Sequence, residues 1–281
     1  MDALVTSDWL VEEIGKSDLA LIDATYTVTI PGAPAGDPRG AYLAGHIPGA
    51  RFLDLDTLCD LESPLPSTVP PARTVAERLG ALGVSPGMRI VLYDDGSPYT
   101  ACRAWWLLRL AGVEASILDG GIVKWRAEGR PLESGSVAVP ETHFPVAPAI
   151  AEVRTLDQMR DNLVSGAEQV ADARSAARFS GEQADARPGC AAGHILGSRN
   201  IPSGSFFRAD GTWKRGAQLR AVFDGAGIDP LRPLVATCGS GITAAIIVFG
   251  AHLLGHAAAL YDGSWTEWGT LPDTPKATGT V

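Results

Sequence analysis

Cys238 stands in the run L-V-A-T-C-G-S-G-I-T-A-A-I-I-V-F-G, where a short apolar stretch meets a glycine-rich turn and then a helical pattern. At such a junction a thiol faces backbone N–H groups and the positive end of a helix macrodipole. Both favour the thiolate, the nucleophilic form of the side chain. Gly239 and Gly241 let the loop turn its N–H groups inward as an anion-binding nest, and Ser240 and Thr243 add hydroxyls to the same loop. The chemistry this set offers is attack by sulfur on an anionic substrate. A cysteine taken alone is as readily a small buried apolar side chain; the four loop residues able to serve an anion point the other way. Phosphatases also hold an anion above a cysteine, but they need the arginine of a C-x5-R motif to fork onto phosphate. That position here is Ala244.

The elements that must carry this loop occur twice. L-I-D-A-T at Asp23 is answered by V-A-D-A-R at Asp172, and A-G-H-I-P-G-A at His46 by A-G-H-I-L-G-S at His194. I-V-L-Y-D ending at Asp94 matches L-V-A-T-C ending at Cys238, and L-D-G-G-I-V-K-W at Trp125 matches Y-D-G-S-W-T-E-W at Trp268. The order is kept and the offsets stay between 143 and 149 residues, too long for a solenoid and right for two copies of one domain. Expected boundaries are 1–130 for the first copy, 131–152 for a proline-rich linker and 153–281 for the second. In the first copy L-A-L-I-D-A, R-I-V-L-Y-D and A-S-I-L-D read as buried strands. T-V-A-E-R-L-G-A-L, the stretch near Thr100–Leu110 and G-I-V-K-W-R-A read as helices. This alternation predicts an α/β fold, each domain a mostly parallel sheet flanked by helices. Ligands of such sheets bind beyond the carboxyl ends of strands, where one copy has Asp94 and the other Cys238. Trp265 and Trp268 read as core or interdomain packing.

The 281 residues suit two domains, and 46% hydrophobic content suits a soluble protein with a sizeable core. With 23 Lys and Arg against 32 Asp and Glu, the net charge of −9 argues against nucleic acid or an anionic membrane as partner, though not against a small anion. No run approaches the ~18 apolar residues of a membrane span, and the N-terminus has no basic, apolar leader pattern. The four cysteines are widely spaced without a C-x-x-C pair, so neither a disulfide scaffold nor a metal site is expected. A reducing, cytoplasmic setting follows.

The duplication, the Cys238 loop, D-A-R-S-A-A-R-F-S-G, A-G-H-I-P-G-A and Y-D-G-S-W-T-E-W together resemble the tandem-domain sulfurtransferases of the rhodanese family, over about residues 4–275. The resemblance implies two rhodanese-like domains, the first inactive, consistent with Asp94 at the nucleophile's place. It implies that Cys238 takes the outer sulfur of a donor, holds a persulfide and passes it to a thiol or cyanide, with a thioredoxin-like reductant as a further partner and no cofactor. In this family thiosulfate enzymes carry C-R-K-G and mercaptopyruvate enzymes C-G-S-G. C-G-S-G here, with Ile242 next, implies 3-mercaptopyruvate, with a thiosulfate enzyme or a non-catalytic persulfide carrier as alternatives. A monocarboxylate with a carbon leaving group suits neutral hydroxyl donors, whereas a dianion gains from cations in the loop. The resemblance further implies that Ser240, His46 and Asp37 form a proton relay. Arg178 and Arg187 would bind the substrate carboxylate, with Gly239, Gly241, Ile242 and Thr243 forming the rest of the substrate site. Arg174 reads as structural, paired with Asp172. Cys190, three residues past Arg187, reads as a passive thiol with redox regulation as the alternative; the family's frequent second cysteine is Ala245 here.

Overall fold

The computed structural model describes residues 1–28, 35–96 and 98–280. The first copy contains β1 (Leu4–Val5), α1 (Ser7–Glu13), β2 (Leu19–Asp23), α2 (Pro38–Ala44), β3 (Arg51–Phe52), α3 (Ala72–Ala81), β4 (Arg89–Tyr93), α4 (Ala101–Leu110), β5 (Ser116–Leu118) and α5 (Gly121–Ala127). The second contains β6 (Val153–Arg154), α6 (Leu156–Ser165), β7 (Gln169–Asp172), α7 (Ala176–Ser180), β8 (His194–Ile195), β9 (Arg199–Asn200), α8 (Gly216–Gly225), β10 (Leu234–Thr237), α9 (Ala244–Leu253), β11 (Ala259–Tyr261), α10 (Ser264–Trp268) and β12 (Lys276–Ala277). The two main sheets run β1-β5-β4-β2-β3 and β6-β11-β10-β7-β9, the same order twice. Every pairing within them is parallel, while β12 and β8 form a small antiparallel pair.

The strand cores follow from sequence. Sheets covered by helices on both faces need strands apolar throughout, and L-A-L-I-D and L-V-A-T are buried at every position. Helix starts carry their own caps: Thr155 and Gln158 close a capping box on α6, and Asp37 accepts from Gly40 N–H at 2.8 Å ahead of Pro38. The stretch 131–152 has no helix and lies along the first copy. Thr142 N–H donates to Gly80 and Ile150 N–H to Arg109, at 2.9 and 2.8 Å.

α4 and α9 join the copies. Both are apolar almost all round, as a helix must be when neighbours cover every face, and Trp105 meets Phe249 edge-on at 4.8 Å. A reciprocal clasp adds polar bonds. Asp119, after β5, accepts from Trp213 N–H (2.8 Å) and Arg215 (2.7 Å) of the second copy; Asp262, after β11, accepts from Val69 N–H (2.7 Å) and Arg103 (3.0 Å) of the first. Trp265 and Trp268 are buried, Trp265 beneath the Arg174 guanidinium.

Candidate active site

The loop Cys238–Thr243 joins the end of β10 to the start of α9, and Cys238 is 2% exposed. Its outward backbone is tied down. The Cys238 carbonyl accepts from Trp265 N–H (3.0 Å), and the Gly239 carbonyl accepts from Thr266 N–H (2.9 Å) and Oγ1 (2.6 Å). The Gly241 carbonyl accepts from Arg103 (3.2 Å). In a trans peptide C=O and the following N–H point opposite ways. Carbonyls turned out therefore turn the amides of Gly239, Ser240 and Ile242 inward. Gly241 sits at φ +78°, where a Cβ would meet the Asp262 carbonyl at 2.9 Å, so glycine is required on both counts.

The first copy shows what such a loop holds. Asp94 accepts from Gly96 N–H (2.9 Å) and from Ala101 N–H, the first turn of α4 (2.8 Å). Burial pushes this carboxyl up to about 7 against the pull of those two bonds.

A cavity of about 350 Å³ opens over the Cys238 loop. Cys238, Gly239, Ser240, Ile242, Thr243, Arg178 and Arg187 line it from the second copy, and Tyr26, Thr27, Val28, Asp95 and Pro98 from the first. Arg178 stands on α7 and Arg187 on the loop that follows, with buried Asp185 between them. Asp185 accepts from Arg178 Nη2 at 2.5 Å, and its other oxygen accepts from Arg187 N–H (3.0 Å) and Nη1 (3.3 Å). Burial alone would raise this carboxyl; the bond from Arg178, the Arg187 amide and both positive charges outweigh it and hold it below the usual range. A methyl on Gly239 would stand 3.2 Å from Arg187 Nη1 and 3.4 Å from Arg178 Nη2, so the missing side chain lets both forks close on the loop.

The structure does not bring His46 or Asp37 to this cavity. His46 is fully buried on its own domain: its Nδ1 meets the Tyr42 carbonyl at 2.9 Å, its ring stacks on Tyr42 at 4.1 Å, and its Nε2 lies 3.9 Å from Glu133. His194 repeats this arrangement, with Nδ1 at 2.8 Å from the Phe179 carbonyl and its ring 3.7 Å from Phe179. The two histidines do the same structural work in both copies. Asp37 is an exposed helix cap. Cys190 is half-buried against the Trp265 carbonyl, and burial pushes its thiol up to about 11, where little reactive thiolate forms. Arg174 forks onto Asp172, as its spacing suggests. A larger cavity of about 510 Å³, at the other ends of α4 and α9, is lined by Trp105, Arg109 and His252 among others and contains no thiol.

Sequence reasoning missed Asp185 and the first-copy wall. Asp185-Ala186-Arg187 repeats Asp172-Ala173-Arg174, including the Arg N–H to Asp bond, at 3.0 and 2.9 Å, and that repeat was the available signal. The wall comes from long-range packing and leaves no local pattern.

Two copies of one parallel α/β domain, one with a cysteine in an amide-lined loop and one with an aspartate at that place, define a class. The rhodanese-like domain profile matches residues 6–128 and 155–271, and the chain belongs to the rhodanese family as a tandem pair. It is 39% identical to 3-mercaptopyruvate sulfurtransferase of Escherichia coli K12 over 276 residues, 96% of each chain. It is 38% identical to the enzyme of that name from Homo sapiens over 274 residues, 95% of this chain and 91% of the other. The crystal structure of SseA, a 3-mercaptopyruvate sulfurtransferase from Escherichia coli, superposes with a TM-score of 0.84 at 36% identity, covering 94% of this chain and 99% of that one.

Proposed function

We propose that the chain transfers the sulfur of 3-mercaptopyruvate, through a persulfide on Cys238, to a thiol or cyanide. The observation that carries the donor assignment is a loop without cations, Cys-Gly-Ser-Gly, facing Arg178 and Arg187 across one cavity. The arginine pair takes the carboxylate of the donor. The Cys238 thiolate attacks the donor's sulfur and forms the S–S bond. The C–S bond breaks, and its electron pair leaves on pyruvate as an enolate that takes up a proton. Ser240 and Thr243, the loop's hydroxyls, are the groups we assign to the enolate oxygen; His46 and Asp37 have no part in this reading because they lie outside the cavity.

Asp94 supports the persulfide. Cβ–Cγ–Oδ in an aspartate and Cβ–Sγ–Sδ in a persulfide place a terminal atom two bonds from Cβ, and the first-copy loop gives each carboxyl oxygen one backbone N–H, Gly96 to Oδ1 and Ala101 to Oδ2. A thiol acceptor then attacks the outer sulfur, and a thioredoxin-like dithiol suits this step. The paired arginines also suit thiosulfate, the second reading. All four cysteines are free, and no helix among the described residues is long and apolar enough to cross a membrane, which fits a reducing compartment such as the cytoplasm.

The test is donor preference, with cyanide or a dithiol as acceptor. A higher kcat/KM with 3-mercaptopyruvate is expected; a higher value with thiosulfate would move the assignment to that donor. Persulfide formation without multiple turnover would make the chain a carrier.

A further inference from the structure

We infer that Arg103, on the domain without a nucleophile, is a positioning residue for the Cys238 loop, an inference that rests on the reading of that loop as the sulfur-transfer site. Arg103 leaves α4 and crosses into the second copy, where it is 2% exposed. Its Nη1 donates to the Gly241 carbonyl (3.2 Å) and its Nη2 to Asp262 (3.0 Å) and the Ser67 carbonyl (2.5 Å); its guanidinium lies 4.6 Å from the centre of the Trp106 ring. With both terminal nitrogens bonded and one face on Trp106, the guanidinium fixes the plane of the Gly241–Ile242 peptide. Fixing the carbonyl outward aims Ile242 N–H inward, toward the sulfur. A donor held in place before reaction costs no reorganisation when charge develops beside it.

The broken symmetry of the duplication separates this role from plain stapling. The Asp262 clasp has a counterpart in the Asp119–Arg215 clasp, so interdomain ion pairing is common to both copies. Arg103 has none. Aligning T-A-C-R-A-W-W with T-A-A-I-I-V-F puts Ile246 at its place, on the helix that would face the Asp94 loop. Among the described residues, the Cys238 loop receives an arginine hydrogen bond from the opposite domain and the Asp94 loop does not.

The experiment compares Arg103→Lys with Arg215→Lys. Lysine keeps the charge against Asp262 but cannot fork to Gly241 and Ser67 together. In single turnover with 3-mercaptopyruvate, Arg103→Lys is expected to slow persulfide formation between about tenfold and about a hundredfold, less than or comparable to outright loss of one aimed donor. KM for the donor stays within about twofold, because the arginine pair is untouched. Alkylation of Cys238 by iodoacetamide slows in parallel. Arg215→Lys leaves both rates within about twofold of wild type. The double variant Arg103→Gln, Asp262→Asn removes both charges, leaves no unpaired buried charge and keeps the assay available if lysine does not fold; the same loss is expected. Equal effects of the two lysine variants, or a raised KM at unchanged rate, would overturn the inference. Failure of the wild type to form any persulfide would instead overturn the function on which it rests.

Discussion

Replacing Asp185 by Asn tests whether Arg178 and Arg187, the arginines proposed to bind the substrate, are aimed or merely present. Asp185 is 3% exposed on its side chain and takes a 2.5 Å bond from Arg178 on one oxygen and bonds of 3.0 and 3.3 Å from Arg187 on the other. Asn keeps one acceptor. Its amide puts N–H groups where the second oxygen was, donor against donor, and it carries no charge between two guanidinium groups. One charge-assisted bond is worth about 1.5–3 kcal/mol, which corresponds to about tenfold to about a hundredfold in affinity. Steady-state rates with 3-mercaptopyruvate and cyanide should show KM raised within that range and kcat changed by less than about threefold, since the sulfur loop is intact. A lower KM would refute the reasoning, because Asp185 would then compete with the substrate carboxylate for the arginines. The same substitution should flatten acid stability. A carboxyl held below its unfolded value stabilises the fold at pH above that value and loses the contribution as pH falls through the folded one. Urea midpoints between pH 5 and 2 should therefore depend less on pH in Asp185→Asn than in the wild type.

Three further outcomes follow from the same geometry. His46→Gln should lower stability about as much as His194→Gln, each by about 1–3 kcal/mol in denaturant unfolding, with kcat within about twofold of wild type; a large loss of kcat confined to His46→Gln would restore it to the reaction. Asp94 has its carboxyl raised to about 7, so the folded state binds a proton the unfolded chain has released, and its contribution to stability falls as pH rises toward and through 7. Asp94→Asn should make Tm less dependent on pH between about 4 and 7. Cys190→Ser should keep more than about half of the activity, because its thiol stands near 11; loss of turnover would assign it a redox or acceptor role.

Much of this was legible in the chain because buried parallel strands are written as continuous apolar runs, and a duplicated domain writes them twice. The strand ends at Asp94 and Cys238 located the loops without further information. The histidines were harder. A-G-H-I-P-G offers a residue able to move protons, but the motif recurs at His194, and the buried ring on Tyr42 or Phe179 explains both copies. Asp37 followed His46 into the expected relay and is a helix cap. Tyr26, Thr27, Val28, Asp95 and Pro98 enter the site only when the two domains pack, and no spacing in the sequence encodes that approach. Arg103 did leave a trace. An arginine between apolar residues in A-C-R-A-W-W-L-L must find buried partners, and its partners lie on the other domain.

The central claim is that Cys238 carries the transferred sulfur. Intact-mass measurement after treatment with 3-mercaptopyruvate, without acceptor, addresses it directly. One added sulfur, about 32 Da, is expected on Cys238, with one pyruvate released for each adduct, removal by cyanide and no adduct in Cys238→Ser. An adduct that survives Cys238→Ser, or pyruvate release without any adduct on the wild type, would contradict the account.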